Sequence, residues 1–172
     1  MRKTKLIVLR GPSGSGKSST AKIIFKQAKN RIALIDQDHY RFIFKPAGGG
    51  SKPNSDTIHK MIKGDVLIAL NDGYDVILEG ILSVKSYAEL LDEIFAAHKG
   101  ENYMYYFDIS FEETLKRHRT KPNANDWTEE DMKEWYPSAH RSDHTLERII
   151  PESYSLDETV AYILDTSKLE VS

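Results

Sequence analysis

The sequence contains no cysteine, which excludes disulfide bonds and thiolate chemistry. This composition is compatible with the reducing cytoplasm, where we expect the protein to reside. Long apolar runs are also missing, since every run is far shorter than the roughly 20 residues that cross a bilayer. We therefore expect no membrane association.

A basic excess is absent as well. The chain has 24 Lys and Arg against 26 Asp and Glu, a formal net charge of −2. Proteins that bind long nucleic acid non-specifically usually carry an excess of cations, because they contact phosphates. We expect no extended duplex binding, although a short strand end is compatible with this charge. The sequence does not indicate an oligomeric state.

The most informative stretch is residues 11–18, GPSGSGKS, which match the phosphate-binding pattern G-x-x-x-x-G-K-[ST]. Glycines allow backbone N–H groups to turn toward phosphate oxygens, and a following helix directs its dipole at the same anion. Lys17 is expected to reach the β- and γ-phosphates, and Ser18 to ligate Mg²⁺. The pattern predicts ATP and Mg²⁺ as cofactors, bound by the loop residues Gly11, Ser13, Gly14, Ser15, Gly16, Lys17, Ser18 and Ser19.

Short apolar runs alternate with segments of helical periodicity, which is typical of βαβ units and a parallel sheet. Strands are predicted at Leu6–Leu9, Ile32–Ile35, Val76–Leu78, Tyr103–Phe107 and Arg148–Ile150. Capping-box patterns at Ser110–Glu113, Thr128–Asp131 and Ser155–Glu158 predict helix starts. We expect one α/β domain over residues 1–172, a three-layer α/β/α fold with a five-stranded parallel sheet and a helical lid near 117–140.

Two carboxylates and an arginine follow the second predicted strand, at the sheet edge where ligands of open α/β sheets bind. Asp36 and Asp38 share a side if the backbone there is extended, and Arg41 lies about one turn on if a helix begins near Asp38. Asp38 can orient an acceptor hydroxyl and take its proton, and Arg41 can hold an anionic group. Alternatively, the two aspartates cap a helix and Arg41 is a surface charge.

Glu79 directly follows the third predicted strand. An acid at that position, beside a phosphate loop, is typical of a Mg²⁺–water ligand or a substrate contact. The alternative is a carboxylate in an ordinary turn.

The densest basic cluster is KRHRTK at residues 116–121, at the end of the helix predicted after Ser110. Arginines on a closing segment commonly stabilise the charge that spreads over the γ-phosphoryl oxygens. We interpret Arg117 and Arg119 as catalytic candidates on the predicted lid. The alternative is a solvated helix end whose cations complement the helix dipole.

Three segments together, residues 11–18, 38–41 and 106–117, resemble the kinase domain of phage polynucleotide 5′-hydroxyl kinases and related small P-loop kinases. Those relatives are gluconate-kinase-like, chloramphenicol-phosphotransferase-like and zeta-toxin-like proteins. The resemblance spans about residues 5 to 135 and implies a P-loop kinase fold. It implies that Asp38 is the general base, that Arg41 faces the acceptor, and that a lid cation falls near Arg117, Arg119 or Lys121.

The resemblance implies transfer of the γ-phosphate of Mg-ATP to a hydroxyl of a small molecule or of a nucleic-acid 5′ end. Two other functions stay open. A kinase of the nucleoside-monophosphate type would use a phosphate as acceptor, and Asp38 would then have no proton to take. A nucleotide-dependent switch would hydrolyse ATP slowly, without a dedicated acceptor.

Overall fold

The structure is a computed structural model that describes residues 2–44, 55–119, 128–136 and 140–172. For Arg41 and Trp135 it describes the backbone and not the side chain. The strands are β1 (Lys5–Arg10), β2 (Ile32–Asp36), β3 (Asp75–Gly80), β4 (Glu101–Asp108) and β5 (Glu147–Pro151). The helices in the described ranges are α1 (Lys17–Gln27), α2 (Gln37–Phe42), α3 (Ser55–Asn71), α4 (Val84–Ala97), α5 (Phe111–Arg119), α6 (Glu129–Trp135) and α7 (Leu156–Ser167).

The five strands form one sheet in the order β2-β3-β1-β4-β5, and every pair is parallel. This confirms the predicted five-stranded parallel sheet. In the register, Glu79 of β3 lies between Leu9 of β1 and Asp36 of β2. The carboxyl ends of these three neighbouring strands therefore meet at one edge, where ligands of such sheets bind.

Both faces of the sheet are buried, as expected for parallel strands covered by helices. In β1, Leu6 and Val8 pack in the cluster that includes residues of α3 and α4, whereas Ile7 and Leu9 pack with residues of α1 and α7. Because side chains alternate along a strand, this uninterrupted apolar run supplies both cores at once. The predicted three-layer α/β/α arrangement is confirmed.

A helix starts directly after the first residue of each of the three capping patterns, at Phe111, Glu129 and Leu156. Thr128–Asp131 and Ser155–Glu158 form complete capping boxes at the starts of α6 and α7. The capping box predicted at Ser110 is only half formed, because the hydrogen bond from the Ser110 amide to the Glu113 carboxylate does not form; the predicted box is wrong in that half. The Ser110 hydroxyl accepts from the Glu113 amide at 3.3 Å, but the Ser110 amide donates to the Glu152 carboxylate at 2.7 Å. The Glu113 carboxylate instead accepts a hydrogen bond from Arg117, one turn further along α5.

The predicted lid is described in part. Residues 117–119 end α5, and α6 lies within the remaining described stretch, 128–136. Lys121 falls outside the described residues. None of the helices in the described ranges combines the length and the apolar character needed to cross a bilayer.

Candidate active site

The loop between β1 and α1 has a backbone that side chains would disrupt. Gly11 and Gly14 have φ angles of +145° and +79°, which L-residues rarely adopt. A Cβ on Gly11 would lie 2.9 Å from the Phe107 carbonyl oxygen, and one on Gly14 would lie 2.9 Å from the Thr114 carbonyl oxygen. The glycines therefore allow both the turn of the loop and its close approach to β4 and α5.

Lys17 begins α1 and is buried, with 6% of its surface exposed. Its ammonium donates to the Pro12 carbonyl oxygen at 2.7 Å and lies 3.2 Å from the Ser15 hydroxyl oxygen. The cation is thus held directly against the loop, at the positive end of the helix dipole. Of the other predicted loop residues, Ser13 is half-buried, and Ser19 is exposed in the first turn of α1.

Glu79, at the carboxyl end of β3, is the buried acid of the site, with 4% of its surface exposed. Burial raises the pKa of its carboxyl group, and the Lys17 charge and a hydrogen bond with the Ser18 side chain oppose that rise. The charges of Asp36 and Asp38 raise the pKa of Glu79 further. The structure therefore brings the two predicted metal ligands, Ser18 and Glu79, into contact beside Lys17.

The donor set at this position consists of oxygens, which suit Mg²⁺. Within the described ranges, no group of three or more His, Asp or Glu side chains is arranged to hold a metal ion. Such a protein cage is not required, because Mg²⁺ is usually bound through one or two protein oxygens, water and substrate phosphates. The pair of Ser18 and Glu79 fits that mode.

Asp36 and Asp38 are not arranged as an extended pair, because α2 begins directly after β2. Asp36 ends β2 and caps α2, its carboxylate accepting the Asp38 amide at 2.8 Å. Asp38 is exposed in the first turn of α2, and its charge acts on Glu79. The capping alternative therefore applies to Asp36 alone. Arg41 lies one turn further along α2, and its side chain is outside the described part of the chain.

The two predicted lid arginines have different surroundings. Arg117 is half-buried and donates to the Glu113 carboxylate at 2.8 Å, and to the carbonyl oxygens of Ser15 and Glu152 at 3.1 Å each. Arg119 is exposed, with its guanidinium 3.6 Å from the Glu129 carboxylate on α6. The structure thus brings Arg117 to the phosphate loop and does not bring Arg119 there.

A cavity of about 390 Å³ lies beside the loop and is open to solvent. It is bordered by Ser15 of the loop, Arg117 of α5, Tyr154 of the β5–α7 connection and Leu156 at the start of α7. Its volume falls within the range of small-molecule sites, and its wall combines an aromatic ring, apolar side chains and a guanidinium. A planar base attached to a phosphate chain in the loop would have room here.

Sequence reasoning missed two buried polar residues at this edge, Arg10 and Gln37, which are 1% and 3% exposed. Arg10 directly precedes the loop and pairs with Glu147 at 2.5 Å, both side chains being buried. A signal existed for Arg10, because a charged residue that continues a buried strand needs a partner. Gln37 lies between Asp36 and Asp38 in the sequence, and the surrounding residues give no signal that its side chain is buried.

The family is decided by a sequence comparison. The model of the AAA domain family matches residues 6–139, which include the phosphate loop, α2 and α5. The chain belongs to the AAA domain family. No curated protein sequence matches it.

Solved structures of similar fold include several kinases. The APS kinase CysC of Mycobacterium tuberculosis, in complex with AMPPNP and APS, is 18% identical with a TM-score of 0.71, covering 96% of this chain and 98% of its own. A gluconokinase from Sinorhizobium meliloti is 18% identical with a TM-score of 0.66, covering 98% and 96%. A chain of the Pnkp1/Rnl/Hen1 RNA repair complex is 20% identical with a TM-score of 0.64, covering 81% and 45%. These likenesses confirm the P-loop kinase fold and the resemblance to this group.

Proposed function

We propose that this member of the AAA domain family transfers the γ-phosphate of Mg-ATP to a hydroxyl group. The observation that carries the proposal is the meeting of opposite charges at one sheet edge. Lys17 of the loop, Glu79 of β3 and Asp38 of α2 are close enough for Lys17 and Asp38 to act on the pKa of Glu79. A lysine of the phosphate loop and a carboxylate able to accept a proton therefore both lie near the same buried acid.

Nucleotide binding is assigned to the loop and the adjoining cavity. Lys17 would exchange its contacts with the loop for the β- and γ-phosphates, while loop amides and the α1 dipole hold the remaining charge. The base would enter the cavity of about 390 Å³ beside Arg117. Arg117 is already oriented by the Glu113 carboxylate, so little conformational entropy is lost when it meets a ligand.

Ser18 and Glu79 would hold Mg²⁺, directly or through water. When bound, Mg²⁺ neutralises charge on the phosphate oxygens. Ser18 would then turn its hydroxyl from Glu79 toward the metal, and Glu79 must be ionised to contribute. The neighbouring Lys17 favours that ionised form against the effect of burial.

On the acceptor side, the carboxylate of Asp38 accepts the proton of the attacking hydroxyl. The acceptor oxygen bonds to the γ-phosphorus, the bond to the β–γ bridging oxygen breaks, and ADP leaves with that electron pair. Asp36 and Asp38 place two carboxylates at the start of α2, and a neutral hydroxyl meets less repulsion from them than a phosphate dianion does. That charge favours a hydroxyl acceptor over a nucleoside monophosphate. Two of the similar structures are described as kinases, which supports phosphotransfer without indicating an acceptor.

The test is a transfer screen with γ-³²P-ATP over nucleosides, sugars, aminoglycosides, 5′-hydroxyl oligonucleotides and nucleoside monophosphates. The proposal expects label on a hydroxyl compound and none with Lys17→Ala, which removes the phosphate-binding cation. Label on a nucleoside monophosphate would support the phosphate-acceptor function instead. Slow hydrolysis that no added compound changes would support a nucleotide-dependent switch.

A further inference from the structure

Gln37 forms a buried bridge between α2 and the segment that follows β3. Its side-chain amide nitrogen donates to the Tyr87 hydroxyl at 2.8 Å, and its amide oxygen accepts from the Leu82 backbone N–H at 3.1 Å. These partners lie 50 and 45 residues away in the chain. Both ends of the amide are therefore satisfied, one by α4 and one by the β3–α4 turn.

The turn is shaped around this amide. A Cβ on Gly80 would lie 2.3 Å from the Gln37 amide oxygen and 2.5 Å from the Gln37 Cβ, so a side chain there would displace the bridge. Leu82, whose backbone N–H donates to the Gln37 amide oxygen, has φ of +43°. Non-glycine residues rarely adopt that conformation. Such backbone persists only where surrounding contacts hold it. Gly80 directly follows Glu79, so the bridge passes beside the buried acid of the site.

Helix α2 depends on such contacts because it has only six residues. A helix of that length is not stable in isolation, so tertiary contacts determine its position. Two side chains anchor its buried side: Gln37, and Tyr40, whose hydroxyl donates to Asp65 of α3 at 2.7 Å. Gln37 is the anchor adjacent to Asp38 in the chain. A shift of the first turn would carry Asp38 away from Glu79 and Lys17.

We propose that Gln37 is a positioning residue for phosphoryl transfer, holding the first turn of α2 so that Asp38 stays near Glu79 at the carboxyl end of β3. This inference rests on the proposed function. A neutral amide suits the role because it donates and accepts at once, and it adds no charge beside Glu79.

The first experiment measures amide hydrogen exchange over residues 38–43 in the full chain, and needs no acceptor. Gln37→Leu keeps the bulk of the side chain and removes both bonds, so α2 should exchange about tenfold faster than in the wild-type protein. Tyr87→Phe removes one bond and should have a smaller effect in the same direction. Gln37→Glu keeps the oxygen that accepts from Leu82 but buries a second carboxyl group beside Glu79, so exchange in α2 should again be faster than in the wild-type protein.

Tyr105→Phe is the matched control. It removes a buried hydroxyl from a 2.7 Å contact with the Thr166 hydroxyl, among the residues that pack with α1 and α7. Its loss of stability should resemble that of Tyr87→Phe, while exchange in α2 stays unchanged. Equal exchange over residues 38–43 in the wild-type protein, Gln37→Leu and Tyr87→Phe would overturn the proposal.

The second experiment measures transfer from γ-³²P-ATP to the hydroxyl compound found in the screen. Gln37→Leu should lower kcat by about 10- to 100-fold, because small misplacements of a reacting group have effects of that size. The Kd for a fluorescent ATP analogue should not change. Equal losses in kcat and nucleotide affinity would overturn a positioning role. If the wild-type protein phosphorylates no hydroxyl, the proposed function fails, and the exchange experiment alone decides whether Gln37 anchors α2.

Discussion

Arg117 donates a hydrogen bond from Nη1 to the backbone carbonyl oxygen of Ser15, 102 residues earlier in the chain, at 3.1 Å. The same guanidinium contacts Glu113 one turn back on α5 and the Glu152 carbonyl oxygen after β5. One side chain therefore joins the phosphate loop to α5 and to the β5–α7 connection. These are the three segments that border the cavity assigned to the base.

Arg117→Ala should lower kcat/KM for ATP by about 10²-fold, since it removes a positioned cation from the phosphate loop. Arg119→Ala should have a much smaller effect, because Arg119 is exposed and the substitution breaks a surface ion pair with Glu129, 3.6 Å away. Steady-state kinetics of the two variants, measured side by side, check this difference. Equal losses would mean that the contact with Ser15 does not distinguish the two arginines.

The buried pair of Arg10 and Glu147 predicts a large loss of stability when one partner is removed. Arg10 also donates to the carbonyl oxygens of Leu82 and His140. Arg10→Met leaves the Glu147 charge buried and should lower the free energy of unfolding by about 3–5 kcal/mol. Lys63→Ala, which breaks a half-exposed pair with Glu93, should lower it by less than about 1 kcal/mol. Urea denaturation measures the free energy of unfolding of both variants. Similar losses would mean that the Arg10–Glu147 pair does not behave as a buried pair.

The burial of Glu79 predicts that its replacement by glutamine has opposite effects on stability and on function. Because its folded-state pKa lies above 4.5, the stability it contributes is present below that pH and is lost as the pH rises through the folded-state value. Glu79→Gln should therefore be more stable than the wild-type protein at neutral pH, by about 1.4 kcal/mol for each unit of pKa elevation. Its Mg²⁺-dependent affinity for ATP should fall, since a neutral amide is a weaker metal ligand.

Thermal unfolding of Glu79→Gln and wild-type protein from about pH 4 to about pH 8 checks the stability claim. The difference between them should grow with pH, whereas Glu112→Gln, at an exposed position, should show no such trend. A pH-independent difference would mean that Glu79 does not titrate as its burial indicates.

The sheet could be predicted because its signals are local. Each strand core is a short apolar run, and in β1 the predicted Leu6–Leu9 lies inside the observed Lys5–Arg10. Two of three capping boxes were correct for the same reason, since all their atoms lie within four residues. The third is incomplete because Glu152, 42 residues away, bonds the Ser110 amide. A local pattern carries no information about that competitor.

The same distinction applies to the candidate site. The phosphate loop lies in eight consecutive residues, so spacing alone indicates it. Arg10 and Gln37 acquire their roles from partners 45 to 137 residues away, at Leu82, Tyr87 and Glu147. The two aspartates do not share an extended backbone because α2 begins at once after β2, which puts Asp38 on a helix. These features depend on how the strands and helices pack, and no short window of the sequence contains them.

The most direct test of the central claim compares phosphate transfer and ATP affinity in Asp38→Asn. The amide keeps the shape of the side chain and loses the basic oxygen, so transfer to the hydroxyl acceptor should fall by about 10²–10⁴-fold. Asp36→Asn removes a neighbouring charge while the amide can still cap α2, so it should lose far less. With γ-³²P-ATP and a fluorescent ATP analogue, we expect transfer by Asp38→Asn to collapse while its Kd for the nucleotide stays at the wild-type value. An unchanged transfer rate, or an equal loss of nucleotide affinity, would contradict hydroxyl phosphorylation with Asp38 as the base.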